Sequence, residues 1–194
     1  MGTDTKLDLK DRYTDFFYEN LEHLKNGLPE YINDKREAAI QSFQEKGFPH
    51  KKVEKYKYTD MNPAFEKQYR TYIQPKKIDF NLDDIFKCDV PELDTHVVLL
   101  LNGWFYENKT PQKQLPNGLI ISSFREAANK YPDLIDAHYN GYADTENESL
   151  TALNTAFAQD GVFIYVPKGK VMDKPVQIIN LLMDEEDGLS QHRN

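Results

Sequence analysis

The sequence predicts an α+β fold in which an N-terminal helical hairpin precedes a mixed region and a β-rich end. Two observations support this class. Apolar residues recur every three or four positions between residues 5 and 46, as in amphipathic helices. After residue 95, short β-prone runs alternate with turn residues instead. The length of 194 residues corresponds to one domain or two small ones.

The charge distribution indicates a boundary near residue 78. The formal net charge of the chain is -8, but residues 1–78 carry 15 Lys and Arg against 13 Asp and Glu, whereas residues 79–194 carry 9 against 19. We therefore predict an N-terminal helical region over residues 1–78 and a mixed α/β region over residues 79–194. Because the second region is acidic, it should repel nucleic acid.

Two adjacent amphipathic helices form the predicted hairpin, over residues 5–25 and 28–46. Pro29 suits the first turn of the second helix, and Gly47 suits its C-terminal stop. Their apolar stripes are Tyr13, Phe16, Phe17, Leu21 and Leu24, then Leu28, Tyr31, Ile32, Ala39 and Phe43. Further helices are predicted over residues 63–70, with Asn62 as N-cap, and over 123–131 and 146–159, whereas residues 73–94 are predicted to be irregular.

The β-prone segments begin with residues 96–101. Asn102-Gly103 follows, and this pair between apolar runs predicts a type I′ hairpin turn, since both positions need positive φ. Further strands are predicted over residues 119–122, 161–166 and 176–183, with a turn over 167–170. The last strand has six apolar residues in eight, as a strand covered on both faces would. We expect either a longer chain or a second copy to cover it.

Composition restricts the compartment and the class of protein. No run approaches the ~18 apolar residues of a membrane span, and the first ten residues lack the apolar core of a signal peptide. The single cysteine, Cys88, excludes an internal disulfide and a thiolate zinc site. We therefore expect a cytoplasmic protein without a membrane partner.

The sequence offers no catalytic or metal-binding motif. No two of the soft metal ligands lie three or four residues apart, the spacing typical of a metal site. These ligands are His23, His50, His96, His138, His192 and Cys88. Asp89 beside Cys88 disfavours the thiolate, and Ser122, Ser123 and Ser149 lack a nucleophile elbow. Residues 167–170 lack the remainder of a phosphate-binding loop, and the four carboxylates at 184–187 lack the spacing of a calcium loop.

A basic, tyrosine-rich segment over residues 46–58 supports an alternative function, a nucleic-acid-binding adaptor. Its cationic and aromatic residues are Lys46, His50, Lys51, Lys52, Lys55, Lys57, Tyr56 and Tyr58, which could neutralise phosphates and stack bases. Glu45, Glu54 and Asp60 interrupt it, so nucleic acid is not the expected partner. A hydrolase with a dispersed site is a further alternative, and it requires a deep pocket with a His or Cys beside a carboxylate.

Two segments carry a resemblance to a known family. The first comprises Arg36-Glu37-Ala38-Ala39, Phe43, Gly47-Phe48-Pro49 and Lys55-Tyr56-Lys57-Tyr58-Thr59-Asp60. The second comprises Leu153-Asn154-Thr155-Ala156-Phe157, the run DGVFIYVPKG from Asp160 to Gly169, and Pro175-Val176-Gln177-Ile178. Together they resemble the SufB/SufD family of the SUF iron–sulfur cluster assembly system over residues 30–183, and the first segment resembles its SufD branch.

This resemblance implies a scaffold subunit rather than an enzyme. Its fold would be the helical hairpin, a mixed region and the first rungs of a right-handed parallel β-helix. SufD-like proteins pair with SufB-like subunits through the β-helix and bind the SufC-like ATPase through a C-terminal region. The iron–sulfur cluster would belong to the parent complex, and no cofactor is expected in this chain. The family's interface Cys and His residues lie beyond the matched residues, so no catalytic, cofactor-binding or metal-binding residue is assigned.

The element Lys55, Tyr56, Lys57, Tyr58 and Asp60 remains open to two interpretations. As a structural corner, it would bury the ring of Tyr58 and start a turn through the side chains of Thr59 and Asp60. As a partner contact, it would present these side chains outward.

Overall fold

The computed structural model describes residues 8–67, 70–71, 73–75, 94–107, 113–115, 118–183 and 189–190. Within these residues the chain is a mixed α+β protein with helices first and small sheets later. The described helices are α1 (Leu9–Glu19), α2 (Leu21–Lys25), α3 (Glu30–Lys46), a 3₁₀ helix (Glu54–Tyr56), α4 (Asn62–Phe65), α5 (Phe124–Lys130), α6 (Pro132–Asp136) and α7 (Ser149–Phe157). The strands are β1 (Arg70–Thr71), β2 (His96–Leu101), β3 (Trp104–Phe105), β4 (Lys113–Gln114), β5 (Ile120–Ser123), β6 (Val162–Tyr165), β7 (Val176–Leu181) and β8 (Leu189–Ser190).

The first predicted helix is divided into α1 and α2 at Asn20. The Asn20 side chain donates a hydrogen bond to the carbonyl of Phe16 at 2.8 Å, and its backbone leaves the helical region. Asparagine side chains compete in this way with the helical backbone ladder, which explains the break. The carboxylate of Asp8 accepts from the N–H of Lys10 and caps α1. The predicted apolar stripe is confirmed, because its members are buried or packed against the core.

Helix α3 begins at Glu30, so Pro29 is its N-cap residue and the predicted start is two residues early. Gly47 ends the helix with a φ of 66°, as predicted. The hairpin prediction is incomplete, because α3 forms its largest helix contact with α7 and a smaller one with α1. Helix α7 lies more than 100 residues later in the chain, so a short-range pattern carries no information about this pairing.

A buried arginine joins α3 to the end of α7. The Arg36 side chain is 0% exposed. Its Nη1 donates to the carbonyl of Ala156 at 2.5 Å, and its Nη2 donates to the carbonyl of Ala158 at 2.7 Å. These carbonyls belong to the C-terminal end of α7, where helical carbonyls lack partners and a positive charge is favourable. Burial lowers the pKa of Arg36 to about 10, which indicates how strongly the guanidinium is desolvated.

The main hydrophobic core lies between α1, α2, α3 and α7. Its buried members are Tyr13, Phe17, Leu24, Ala39, Ile40, Phe43, Phe48, Ala152, Leu153, Ala156 and Phe157. A second cluster joins Leu28 and Ile32 to Phe124, Ala127, Ala128 and Ile135 of α5 and α6. Both clusters combine residues from either side of position 78. The division into regions 1–78 and 79–194 stays a prediction.

The sheets confirm the predicted hairpin. Asn102 and Gly103 have φ values of 51° and 87°, the left-handed pair that a type I′ turn requires. Strand β2 pairs antiparallel with β3 and in parallel with β7, in a register that runs from His96↔Val176 to Leu101↔Leu181. A second sheet has the antiparallel order β4-β5-β6, and β1 pairs in parallel with β8.

The buried carboxylate of Asp160 connects three parts of the fold. It accepts the N–H of Phe105 at 3.0 Å and the N–H of Arg125 at 3.1 Å. The N–H of Gly161 also donates to it. Desolvation raises the pKa of Asp160, and the three backbone donors oppose this effect by stabilising the ionised form. The carboxylate thereby joins β3 and the start of α5 to the segment that precedes β6.

Several element boundaries differ from the prediction. Helix α4 begins at Asn62 and ends at Phe65, so Asn62 is not its N-cap, because Met61 holds that position. Helix α7 is shorter at both ends than residues 146–159, and α6 was not predicted. The Ser123 hydroxyl caps α5 by accepting the N–H of Glu126 at 3.0 Å. The predictions for residues 76–93, residues 184–187 and His192 lie outside the described residues.

Strand β7 is not covered on both faces within the described residues. Ile178 is 45% exposed and Leu182, which follows the strand, is 63% exposed. In the part of the chain that the structure describes, β7 pairs only with β2, so its other edge is open. Among the same residues, no helix combines the length and the apolar character that crossing a membrane requires.

Replacing Arg36 by Met should lower the free energy of unfolding by about 2–6 kcal/mol, because two buried carbonyls lose their donor at roughly 1–3 kcal/mol each. Urea titration followed by circular dichroism measures the change. Lys46→Met is the matched control, since among the described residues Lys46 bonds only Ser42, at the exposed end of the same helix. An unchanged midpoint for Arg36→Met would show that the two hydrogen bonds do not stabilise the fold.

The open edge of β7 should make this chain self-associate, because an apolar strand edge can pair with another chain. Sedimentation velocity should show dimers or larger species that increase with concentration. Ile178→Lys should shift the distribution to monomer, whereas Val171→Lys, at an exposed position between the preceding turn and β7, should not. A wild-type chain that stays monomeric at high concentration contradicts this expectation.

Candidate interaction site in the Lys–Tyr segment

The Lys–Tyr segment, defined here as residues 50–62, is held as a series of tight turns. The N–H of Val53 donates to the carbonyl of His50 at 2.9 Å, that of Tyr56 to Val53 at 2.8 Å, and that of Thr59 to Tyr56 at 2.8 Å. Phe48, just before the segment, attaches it to the hydrophobic core. Its ring packs against Phe43 at a centroid distance of 5.0 Å and against Phe65 at 4.4 Å. The backbone of the segment is therefore fixed before any partner binds.

Two of the predicted site residues face Glu148, the N-cap residue of α7. The ammonium of Lys55 forms an ion pair with Glu148, and this hydrogen bond raises the pKa of Lys55. The hydroxyl of Tyr56 lies 3.5 Å from Oε2 of the same carboxylate. Burial raises the pKa of Tyr56, with a further contribution from Glu148. These contacts favour the structural-corner interpretation for Lys55 and Tyr56.

The other predicted site residues face outward. Tyr58 is 90% exposed, so the expectation that its ring is buried is wrong. Lys57 forms an ion pair with Glu54, and its ammonium lies 5.1 Å from the centre of the Tyr58 ring. Asp60 accepts the N–H of Asn62 at 3.3 Å, which confirms the predicted side-chain-to-backbone hydrogen bond for Asp60. The arrangement at Tyr58 favours the partner-contact interpretation, and the assignment of a site stays a prediction.

An open cleft of about 340 Å³ lies within this segment. Its lining residues are His50, Lys51, Lys52, Asp60 and Asn62. Nδ1 of His50 accepts the backbone N–H of Lys52 at 3.2 Å, which orients the imidazole. Lys51 lies 3.4 Å from the carboxylate of Asp60. Lys52 has no ion-pair partner among the described residues, so the cleft keeps a cationic wall.

The remaining candidate ligands are dispersed. Nε2 of His96 lies 2.8 Å from the carboxylate of Asp173, His23 contacts Gln74, and His138 contacts Tyr142. The His96–Asp173 pair joins β2 to the turn before β7, and the Asp173 carboxylate is mostly exposed. No group of three potential metal ligands comes together in the described part of the chain. Residues 167–170 form the predicted turn, with Lys170 N–H donating to Pro167 at 3.0 Å.

The sequence did not identify Glu148 as part of the site. Its position before an amphipathic helix is a recognisable signal, because acidic residues are favourable at a helix N-terminus. Its partners Lys55 and Tyr56 lie more than 90 residues earlier, and no local pattern relates the two segments.

Replacing Glu148 by Ala should loosen the Lys–Tyr segment, because Lys55 loses its carboxylate partner. Cleavage by a lysine-specific protease at Lys55 and Lys57 should become about two- to fivefold faster, the range expected for an exposed ion pair. Glu146→Ala is the matched control, since it removes the same charge two residues away. Equal cleavage rates in both variants would contradict the proposed role of Glu148.

Comparison with known proteins places the chain in a family. The sequence profile of the SufBD protein N-terminal region matches residues 7–178. The chain belongs to the SufBD family. This membership confirms the resemblance that the two sequence segments carry.

Relatives in the SufBD family extend well beyond the matched region. The iron–sulfur cluster assembly protein SufD of Bacillus subtilis is 24% identical over 195 residues, which cover 99% of this chain and 43% of that protein. A SufBD family protein of Synechocystis is 22% identical over 148 residues, covering 76% of this chain and 32% of that protein. A SufBD family protein of Arabidopsis thaliana is 32% identical over 100 residues, which cover 52% of this chain and 21% of that protein. The chain spans less than half the length of these curated relatives.

Proposed function

We propose that this chain is the N-terminal region of a SufD-like scaffold subunit in a cytoplasmic SUF iron–sulfur cluster assembly complex. The observation that carries the proposal is the family match over residues 7–178, together with the similarity to a SufD protein along nearly the whole chain. We assign the SufD branch by this similarity, which is 24% identity over 99% of this chain and 43% of the relative. The scaffold acts without chemistry of its own, and the cluster is the cargo of the complex.

The sheet that contains β2 and β7 supports the β-helical part of this proposal. Six consecutive residues of β2 pair in parallel with six residues of β7, although more than 70 residues separate the two strands in the sequence. A right-handed parallel β-helix is built from such parallel neighbours, each added to the open edge of the one before. We therefore assign β2 and β7 to the first rungs of that element.

The scaffold proposal requires partner subunits of two kinds. One is a SufB-like subunit that pairs with the β-helix, and the other is a SufC-like ATPase that binds a C-terminal region. Neither contact is assigned to residues of this chain. The Lys–Tyr segment lies in the N-terminal region and remains available for a separate contact.

Co-purification tests the proposal directly. The intact protein that contains this chain, tagged at its N-terminus, is recovered from its own cytoplasm after nuclease treatment. SufB-like and SufC-like subunits should be recovered in stoichiometric amounts and should be absent from an untagged control. Recovery of the tagged protein alone, or with nucleic acid in a sample without nuclease, would overturn the scaffold assignment.

A further inference from the structure

The outward face of the Lys–Tyr segment combines a cationic cleft with an exposed aromatic ring. We propose that this face is a docking surface for an acidic segment of a partner protein that carries an aromatic or aliphatic anchor between its carboxylates. The exposed residues of the segment on which the proposal rests are Lys51 and Lys52 at the cleft, and Val53 and Tyr58 beside them in sequence. The proposal does not depend on the scaffold assignment, because it rests on this surface alone.

The backbone that carries this surface is held by local hydrogen bonds. Three successive backbone hydrogen bonds fix the turns from His50 to Thr59, and Phe48 anchors them to the core. Glu148 holds Lys55 and Tyr56 on the inner side of the segment. A preorganised surface loses little conformational entropy on binding, which favours affinity even when the contact area is small.

The charges of the segment select an anionic partner. Lys55 and Lys57 are paired with Glu148 and Glu54, so they contribute little to the outward face. Lys52 has no ion-pair partner among the described residues, and Lys51 forms an ion pair with Asp60 on the cleft wall. A cleft of about 340 Å³ accommodates a few side chains, and carboxylates are the groups that Lys52 and the neighbouring His50 would bind.

Tyr58 supplies the apolar part of the surface. Its ring is 90% exposed and lies two residues before Asp60 of the cleft, and Val53 is also exposed. Tyrosine is enriched at binding hot spots because it buries a large area with few rotatable bonds, and it can also donate a hydrogen bond. The ammonium of Lys57 lies 5.1 Å from the centre of this ring.

A protein partner fits these features better than a nucleic acid does. Binding along a phosphate backbone requires a track of free cations, and stacking requires several exposed rings. In this segment the ring of Tyr56 is turned toward Glu148, and the ammonium groups of Lys55 and Lys57 are neutralised. Three groups of the segment remain: Lys52, which has no ion-pair partner among the described residues, Lys51, which is paired with Asp60, and the exposed ring of Tyr58. They match a short acidic peptide.

Fluorescence anisotropy with a labelled synthetic peptide tests the proposal on the 194-residue chain. In the probe, Asp and Glu residues flank one Phe; in the control peptide, Asn and Gln replace them. The wild-type chain should bind the acidic probe at low ionic strength and the amide peptide at least about tenfold more weakly. The double variant Lys51→Ala/Lys52→Ala and the single variant Tyr58→Ala should each weaken binding about tenfold.

Matched controls separate this surface from general charge effects. Lys168→Ala/Lys170→Ala removes the same charge from another exposed turn, and Tyr142→Ala removes another exposed ring, so both should bind like wild type. Lys52→Arg should retain binding, whereas Lys52→Glu should abolish it. Circular dichroism verifies that each variant is folded.

Three results would overturn the docking proposal. They are no binding of the acidic probe by the wild-type chain, equal losses in the control variants, and equal binding of the amide peptide. Displacement of the probe by a single-stranded oligonucleotide, with a steeper salt dependence than the peptide shows, would assign the surface to nucleic acid instead.

Discussion

The buried guanidinium of Arg36 is the interaction on which the rest of the fold depends. It contacts two carbonyls at the end of α7, and the segment that follows carries the Asp160 carboxylate. Within five residues, from Ala156 to Asp160, the chain therefore receives hydrogen bonds from α3, β3 and α5. The buried guanidinium is stable only when both carbonyls accept its hydrogen bonds, because an unpaired polar group in the interior lowers the free energy of unfolding. This requirement fixes the N-terminal helices relative to the sheets.

Helix α7 is held at both ends by groups that complement its dipole. The cation of Arg36 lies at its C-terminal carbonyls, and Glu148 lies at its N-terminus, where it also binds Lys55. The core packs α7 against α3 between these two ends. Helix α7 therefore helps to position the Lys–Tyr segment, together with the contacts that Phe48 makes with Phe43 and Phe65. The same helix thereby connects the buried Arg36 to Lys55 and Tyr56 on the inner side of the Lys–Tyr segment.

Local elements and the tight turn between β2 and β3 were predictable from the sequence, and the pairing of elements distant in the chain was not. The stripe from Tyr13 to Leu24 and the Asn102-Gly103 turn follow from short-range periodicity and turn chemistry. Arg36 was not placed in the core, because a charged residue on an amphipathic helix is normally solvent-exposed. The contact of Glu148 with Lys55 and the break at Asn20 depend on tertiary context and on side-chain hydrogen bonds. The family, by contrast, was recognisable from the two sequence segments.

The chain presents two exposed surfaces whose chemistry differs, and salt distinguishes them. Pairing at the β7 edge relies on backbone hydrogen bonds and on apolar residues such as Ile178, so added salt should leave it unchanged or strengthen it. Binding at the Lys52 cleft relies on exposed charges, which salt screens within about 8–10 Å at moderate ionic strength. A contact that persists at high salt therefore belongs to the sheet edge, and one that is lost belongs to the Lys–Tyr segment. Because Arg36 and Asp160 are buried, their hydrogen bonds should be far less sensitive to the same salt, and the fold should remain intact while the two surfaces are compared.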